Sequence, residues 1–164
     1  MNGSITITDE ANVLAEAGRL FNFEYSNDDV DVLSPVVILF KTGAKKVKYR
    51  TNMDTLGSTV TLTLYSGPTV SADGTEIVPV KYNPTANTPA PAIKIYHTPT
   101  KAANGTALYT RKFLGYSQGN VVTGASVHGP TWRTLPANGV FLAILTPAAD
   151  DTKITYGGSF YEVD

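Results

Sequence analysis

The sequence predicts an all-β protein: a single-domain, jelly-roll-like antiparallel β-sandwich with at most one short N-terminal helix. Along most of the chain, apolar residues alternate with polar ones at a period of two, as in half-buried strands. Turn pairs recur between these segments, at Asp73-Gly74, Asn104-Gly105 and Asn138-Gly139. Gly and Pro are plentiful, whereas charged residues make up only 16%. Short strands separated by such turns are typical of a sandwich or barrel, and no strand–helix alternation suggests a parallel sheet.

The length of 164 residues suits one domain. We expect residues 1–19 to form an N-terminal arm or a short helix, and residues 20–164 to form the β-sandwich. The predicted helix runs from Asp9 to Ala17. It starts with two acidic residues, which favour a helix N-terminus, and Gly18 follows its end.

The remaining segments are predicted as strands. The run "PVVILF" is continuously apolar, which is typical of a strand covered on both faces. Within it, Val37 and Leu39 are expected in the core, and Val36, Ile38 and Phe40 are expected under a second layer or a neighbouring subunit. The other predicted core residues are Leu62, Leu64, Ile93, Ile95, Phe141 and Ile144.

The turn at Asp73-Gly74 is predicted to be a tight hairpin that connects Thr69-Val70 to Ile77-Val78. Gly74 should then have a positive φ. Two segments lack strand periodicity, a Pro-rich loop at residues 83–91 and a Gly-rich loop at residues 115–130. Long irregular loops in a compact domain often make contacts, so both are candidate contact regions.

The sequence contains no constellation that predicts catalysis, a cofactor or a metal. Absence of Cys excludes disulfides and thiolate sites. "GYSQG" fits the G-x-S-x-G hydrolase pattern around Ser117, but no helix is predicted after it, as that motif requires. His97 and His128 lack metal-ligand spacing. Asn27 to Asp31, "NDDVD", is interpreted as a solvated acidic turn between two strands, because Val32 and Ile38 occupy the Gly and Glu positions of a calcium loop; a weak calcium site stays open.

A net charge of −1 gives no bulk attraction to nucleic acid or to an anionic membrane, and no apolar stretch is long enough to span a bilayer. Basic residues nevertheless concentrate between Lys41 and Arg50. Lys46, Lys48 and Arg50 are predicted on one strand face, with the intervening residues on the other. This pattern fits a solvated face, a lysine-guarded sheet edge, or a patch complementary to an acidic protein. The candidate partner contacts are Lys46, Lys48, Arg50, Tyr82, Tyr116, His128 and Trp132.

Several segments together resemble a family of small structural proteins from the virions of tailed bacteriophages. They are "PVVILFKTGAKKVKY", "LTLYSGPTVSADGTEIVPVKYNP", "IYHTP", "WRTLPANGVFLAIL" and "YGGSFYEV". The resemblance covers the chain from about Phe21 onward. The chain departs from the family at Tyr49, where His is common, at Ser66, where Glu is common, and at Tyr82-Asn83, where an Asn-Arg pair is common.

The resemblance implies a non-enzymatic virion component, most consistent with a capsid decoration or cement protein. Such a protein would bind the major capsid protein or a neighbouring virion protein on the outer shell as a homo-oligomer, a trimer or dimer. The start "MNGSITITDE" has no basic or apolar block, so synthesis in the host cytoplasm without a signal peptide is expected. The alternative is a tail- or fibre-associated module that stacks host glycan on Tyr82, Tyr116 or Trp132.

Overall fold

A computed structural model describes residues 10–115 and 132–163, together with the backbone of residues 127–128. Within them lie one short helix and fourteen strands, which confirms the all-β prediction. The elements are α1 (Glu10–Glu16), β1 (Phe21–Val30), β2 (Val36–Lys41), β3 (Lys46–Leu56), β4 (Val60–Ser66), β5 (Thr69–Ala72), β6 (Thr75–Glu76), β7 (Val80–Lys81), β8 (Lys94–His97), β9 (Thr100–Ala103), β10 (Thr106–Phe113), β11 (Val127–His128), β12 (Arg133–Leu135), β13 (Val140–Pro147) and β14 (Thr152–Val163).

Two antiparallel sheets form the sandwich. Sheet A has the order β11-β3-β14-β1-β7, with β12 also paired to β3, and sheet B has the order β10-β4-β13-β2-β8-β6. The chain alternates between the sheets from β1 to β4 and again from β12 to β14. This winding is that of a jelly roll, in which two Greek keys share a double sheet. The predicted jelly-roll-like sandwich is therefore confirmed.

The main core lies between the two sheets. It contains Leu62, Leu64, Ile93, Ile95 and Phe141, as predicted. Aromatic rings fill its centre: the Phe23 ring lies 5.5 Å from that of Phe40, 5.9 Å from that of Tyr156 and 6.4 Å from that of Phe160. Edge-on and tilted packing of this kind adds to the stabilisation that burial provides.

The predicted faces of β2 are inverted in the structure. Val36, Ile38 and Phe40 belong to the main core between the sheets. Leu39 instead lies on the outer face of sheet B, in a second cluster with Leu142 and Ile144, against which Val37 packs. Every residue from Val36 to Phe40 is apolar, so the sequence does not indicate which alternate residues face the main core.

The Asp73-Gly74 turn is not a hairpin, although Gly74 does have a positive φ of 89°. The strand before it, β5, pairs with β9, and the strand after it, β6, pairs with β8. β5 connects β4 to β6, and β9 connects β8 to β10, so both run between opposite sides of sheet B and their two-stranded ribbon crosses its outer face. Val70 of β5 packs on the second cluster. We call β5 and β9 the strap.

The helix α1 ends at Glu16, one residue before the predicted end at Ala17. The Arg19 N–H donates to the Leu14 carbonyl at 2.8 Å, and the Gly18 N–H donates to the Ala15 carbonyl at 2.9 Å. These bonds form a Schellman motif, which satisfies the last carbonyls of the helix. Within the described part of the chain, no helix has the length and apolarity needed to cross a membrane.

Candidate interaction surface

The basic residues of β3 form a stripe on the outer face of sheet A. Val47 and Tyr49 are 0% and 3% exposed and point into the core, whereas Lys46, Lys48 and Arg50 point outward. The predicted alternation is confirmed. The edge-guard interpretation is wrong, because β3 pairs with β14 on one side and with β11 and β12 on the other. We call Lys46, Lys48 and Arg50 the basic stripe.

Trp132 lies half-buried beside the basic stripe, immediately before β12. The Arg50 guanidinium lies 5.1 Å from the centroid of the Trp132 ring, and the Tyr161 ring packs edge-on against the same indole at 5.0 Å. The Lys48 amino group lies 6.0 Å from the centroid of the Tyr161 ring. Cations over aromatic faces are attracted to the ring electrons, which restricts where the charged groups point. Aromatic neighbours thus pre-position two of the three cations of the basic stripe, Lys48 and Arg50.

Tyr82, which directly follows β7, lies on the same outer face of sheet A, toward the β7 side, opposite to β12. Its hydroxyl lies 3.1 Å from the Ser159 hydroxyl of β14, and Ser159 is directly opposite Arg50 in the β14–β3 register. Tyr82, Arg50 and Trp132 therefore lie along one line across sheet A, although they are far apart in sequence. Ser159 and Tyr161 were not among the residues that the sequence singled out, and only their alternation with Phe160 places them outward.

No residue of the basic stripe forms an ion pair in the region that the structure describes. The ion pairs found there lie elsewhere: Lys41–Asp73 at 2.6 Å, Lys94–Glu76 at 2.8 Å and Lys153–Asp28 at 3.6 Å. The acidic residue of β3, Asp54, is at the other end of the strand, beyond Asn52. The three cations of β3 and its one carboxylate therefore lie toward opposite ends of the strand.

Tyr161 links this face to the helix. Burial, followed by the nearby Glu10 carboxylate, raises the pKa of Tyr161 to about 12. The neutral phenol thus persists well above ordinary pH and adds no negative charge beside Lys48. Burial likewise raises the pKa of Tyr156, with a smaller contribution from Tyr109.

Two of the predicted contact residues cannot be placed on this face by their side chains. Tyr116 lies outside the described residues, as does Ser117 of the G-x-S-x-G pattern. The backbone of His128 pairs with Asn52 of β3, which continues sheet A beyond the basic stripe. The other histidine, His97, ends β8, and its ring stacks on Tyr25 at 4.7 Å.

The acidic segment Asn27 to Asp31 is not a free turn. Most of it forms the end of β1, and the register with β14 shifts there. Asp29 and Asp31 approach Asp151, so that one carboxylate oxygen from each lies within 4.8 Å of the others. All three side chains are exposed, and such clusters are common without an ion. The participation of Asp151 could not be read from the local pattern, and calcium binding stays an untested prediction.

No family model, curated protein or solved structure matches this chain. The jelly-roll fold and the outer face of sheet A are the structural features that bear on its function.

Proposed function

We propose that this chain is a non-enzymatic virion structural protein that decorates the outer capsid shell of a tailed bacteriophage as a homo-oligomer. The basic stripe is the observation that carries the proposal. Three cations project from one end of one strand, and none of them forms an ion pair with a carboxylate of the described residues. Such a patch complements an acidic protein surface.

The rigidity of β3 supports this role. The strand pairs with β14 along its whole length, from Lys46 opposite Val163 to Leu56 opposite Lys153. Its inward residues are anchored in the core, and two of its outward cations contact aromatic rings, Arg50 that of Trp132 and Lys48 that of Tyr161. A patch fixed in this way loses little conformational entropy on binding. Modest binding per copy is sufficient for a decoration protein, because linked copies in an oligomer bind with avidity.

The fold is compatible with the proposal and does not prove it. Jelly rolls occur in viral capsid domains and also in lectins and cupins, so the fold alone does not define a function. The virion role is proposed among these because of the sequence resemblance from Phe21 onward, which stays a prediction.

The glycan-binding alternative has one observation in its favour. Tyr82 is 50% exposed and lies on the same face as Trp132. However, Arg50 lies over the Trp132 ring and Tyr161 packs against it, so a sugar could stack there only after Arg50 moves. Screening the wild-type protein and a Trp132→Ala variant on a glycan array tests this alternative, which requires glycan binding that the substitution abolishes.

Uptake of the purified protein by empty capsid shells tests the proposal. We expect saturable uptake at a stoichiometry related to capsid symmetry. The Lys46→Glu/Lys48→Glu variant should bind more weakly, and wild-type binding should fall as salt rises, since exposed charges are screened over about 8–10 Å at ordinary ionic strength.

The matched control reverses two exposed lysines that lie away from sheet A, Lys101 of the strap and Lys112 of β10. Lys101→Glu/Lys112→Glu changes the net charge equally and should leave uptake unchanged. Absence of saturable uptake by the folded wild-type protein would contradict the proposal. Equal loss in both variants would show that only total charge matters.

A further inference from the structure

Among the described residues, one edge of β10, the last strand of sheet B, is unpaired, and we call it the open side. β10 pairs with β4 along one edge, and no strand in the described parts of the chain pairs with its other edge. Six of its eight residues are exposed, and Leu108, where the register with β4 shifts, is 51% exposed. An unpaired edge of this length presents backbone donors and acceptors to any extended segment that approaches it.

A cleft opens beside β10, between the two sheets. Its volume is about 210 Å³. This is several times the ~30 Å³ share of one water molecule, and it is below the ~300–1,000 Å³ typical of small-molecule pockets. The cleft therefore suits a single inserted side chain. Its walls are mainly apolar, formed by Leu64, Leu108, Leu135 and Phe141.

Two arginines lie on this open side. The Arg133 guanidinium, which lines the cleft, lies 3.9 Å from the centroid of the Tyr109 ring, and that of Arg111 lies 5.0 Å from the centroid of the Phe113 ring. Neither forms an ion pair with a carboxylate of the described residues. The hydroxyls of Tyr109 and Tyr49 lie 3.4 Å apart at the cleft. The site thus combines an apolar cavity with fixed positive charge.

We propose that the open side binds an extended, acidic peptide segment of a partner protein, which adds to sheet B as a strand beside β10. One apolar side chain of the segment enters the cleft. A carboxylate two positions further along points to the same side, since side chains alternate across a strand, and binds Arg133. In strand addition, backbone hydrogen bonds provide affinity and side-chain pockets provide specificity. This surface is separate from the basic stripe.

The competing explanation is protection against pairing. Inward-pointing charges and bulges are devices by which proteins keep sheet edges unpaired. Under that explanation, an added strand would bury the charges of Arg111 and Arg133 at a cost in free energy, so that no strand binds, whatever its own charge. The two explanations predict opposite results with an acidic peptide.

Fluorescence anisotropy of a labelled, acetylated and amidated pentapeptide, Thr-Ile-Thr-Asp-Thr, tests the proposal with the full-length protein. We expect saturable binding that weakens at least tenfold when Asp in the peptide is replaced by Lys. Arg133→Glu should weaken binding of the original peptide by a similar factor, while the Lys101→Glu control should not.

Both peptides are compared on the wild-type protein, so the test stands even if an arginine variant fails to fold. No saturable binding, or equal binding of the Asp and Lys peptides, would overturn the proposal. Shell uptake by Arg133→Glu, measured in parallel, should remain at the wild-type level, which separates this site from the proposed decoration surface.

Discussion

Replacing Gly74 by Ala should destabilise the protein more than the same change at Gly67. Both glycines have a positive φ, 89° and 64°, so a side chain at either position strains the backbone by about 1–2 kcal/mol. A Cβ at Gly67 would meet nothing within 4 Å. At Gly74 it would come within 2.8 Å of the Thr98 carbonyl carbon and closer still to the His97 carbonyl oxygen, so the backbone between β8 and β9 would have to move.

Displacing packed backbone in this way costs about 1–3 kcal/mol beyond the φ strain. We therefore expect Gly67→Ala to lower the free energy of unfolding by about 1–2 kcal/mol and Gly74→Ala to lower it by about 2–5 kcal/mol. Urea unfolding followed by circular dichroism measures both values. In thermal scans, each kcal/mol should lower Tm by about 2–4 °C for a domain of this size.

The comparison tests the crossing of the strap rather than glycine in general. If Gly74→Ala is no more destabilising than Gly67→Ala, the turn does not approach residues 97–98, and the assignment of β5 to β9 and of β6 to β8 is refuted at this point. Such a result would restore the tight hairpin that the sequence predicts.

Three further substitutions test the burial of particular groups. Leu39→Ala should lower the free energy of unfolding by about 2–5 kcal/mol, because Leu39 is fully buried beneath the strap. The control Leu33→Ala alters a side chain that is 94% exposed and should change the free energy of unfolding by less than about 0.5 kcal/mol. A loss for Leu39→Ala as small as that for Leu33→Ala would place Leu39 at a surface. Tyr156→Phe should leave the free energy of unfolding unchanged or raise it by up to about 1 kcal/mol in urea titrations, since the buried hydroxyl has no hydrogen-bond partner in the described structure. A clear loss of stability would show that this hydroxyl does form a hydrogen bond. The pKa of Tyr161 is raised from 10 to about 12 in the folded state, so the stability that this residue contributes is complete below pH 10 and is lost as the pH rises toward 12. Between pH 10 and pH 12, the Tm of Tyr161→Phe should therefore fall less than that of the wild-type protein. An identical fall in both proteins would show that Tyr161 does not cause it.

Local sequence patterns predicted the elements well and their faces less well. In β3 the inward and outward residues were predicted correctly, because Lys46, Lys48 and Arg50 alternate with Val47 and Tyr49 and mark the solvent-facing side. The run Val36 to Phe40 has no polar residue to mark a side, so its two faces were exchanged.

The Asp73-Gly74 pair fits a positive φ equally well in a hairpin and in a crossing, and only long-range pairing decides between them. The candidate surface depends on contacts of the same kind. Tyr82 and Ser159, separated by 77 positions, meet because β7, β1 and β14 are neighbours in sheet A. No local pattern carries that information.

A reconstruction of the virion by electron cryomicroscopy, with this chain located in it, would test the central proposal most directly. The proposal predicts repeated copies of the sandwich on the outer capsid, arranged as symmetric oligomers, with Lys46, Lys48 and Arg50 facing acidic residues of the shell. Density for the chain only in the tail or fibres, or a decorating sandwich that contacts the shell through the strap while the basic stripe faces solvent, would contradict it.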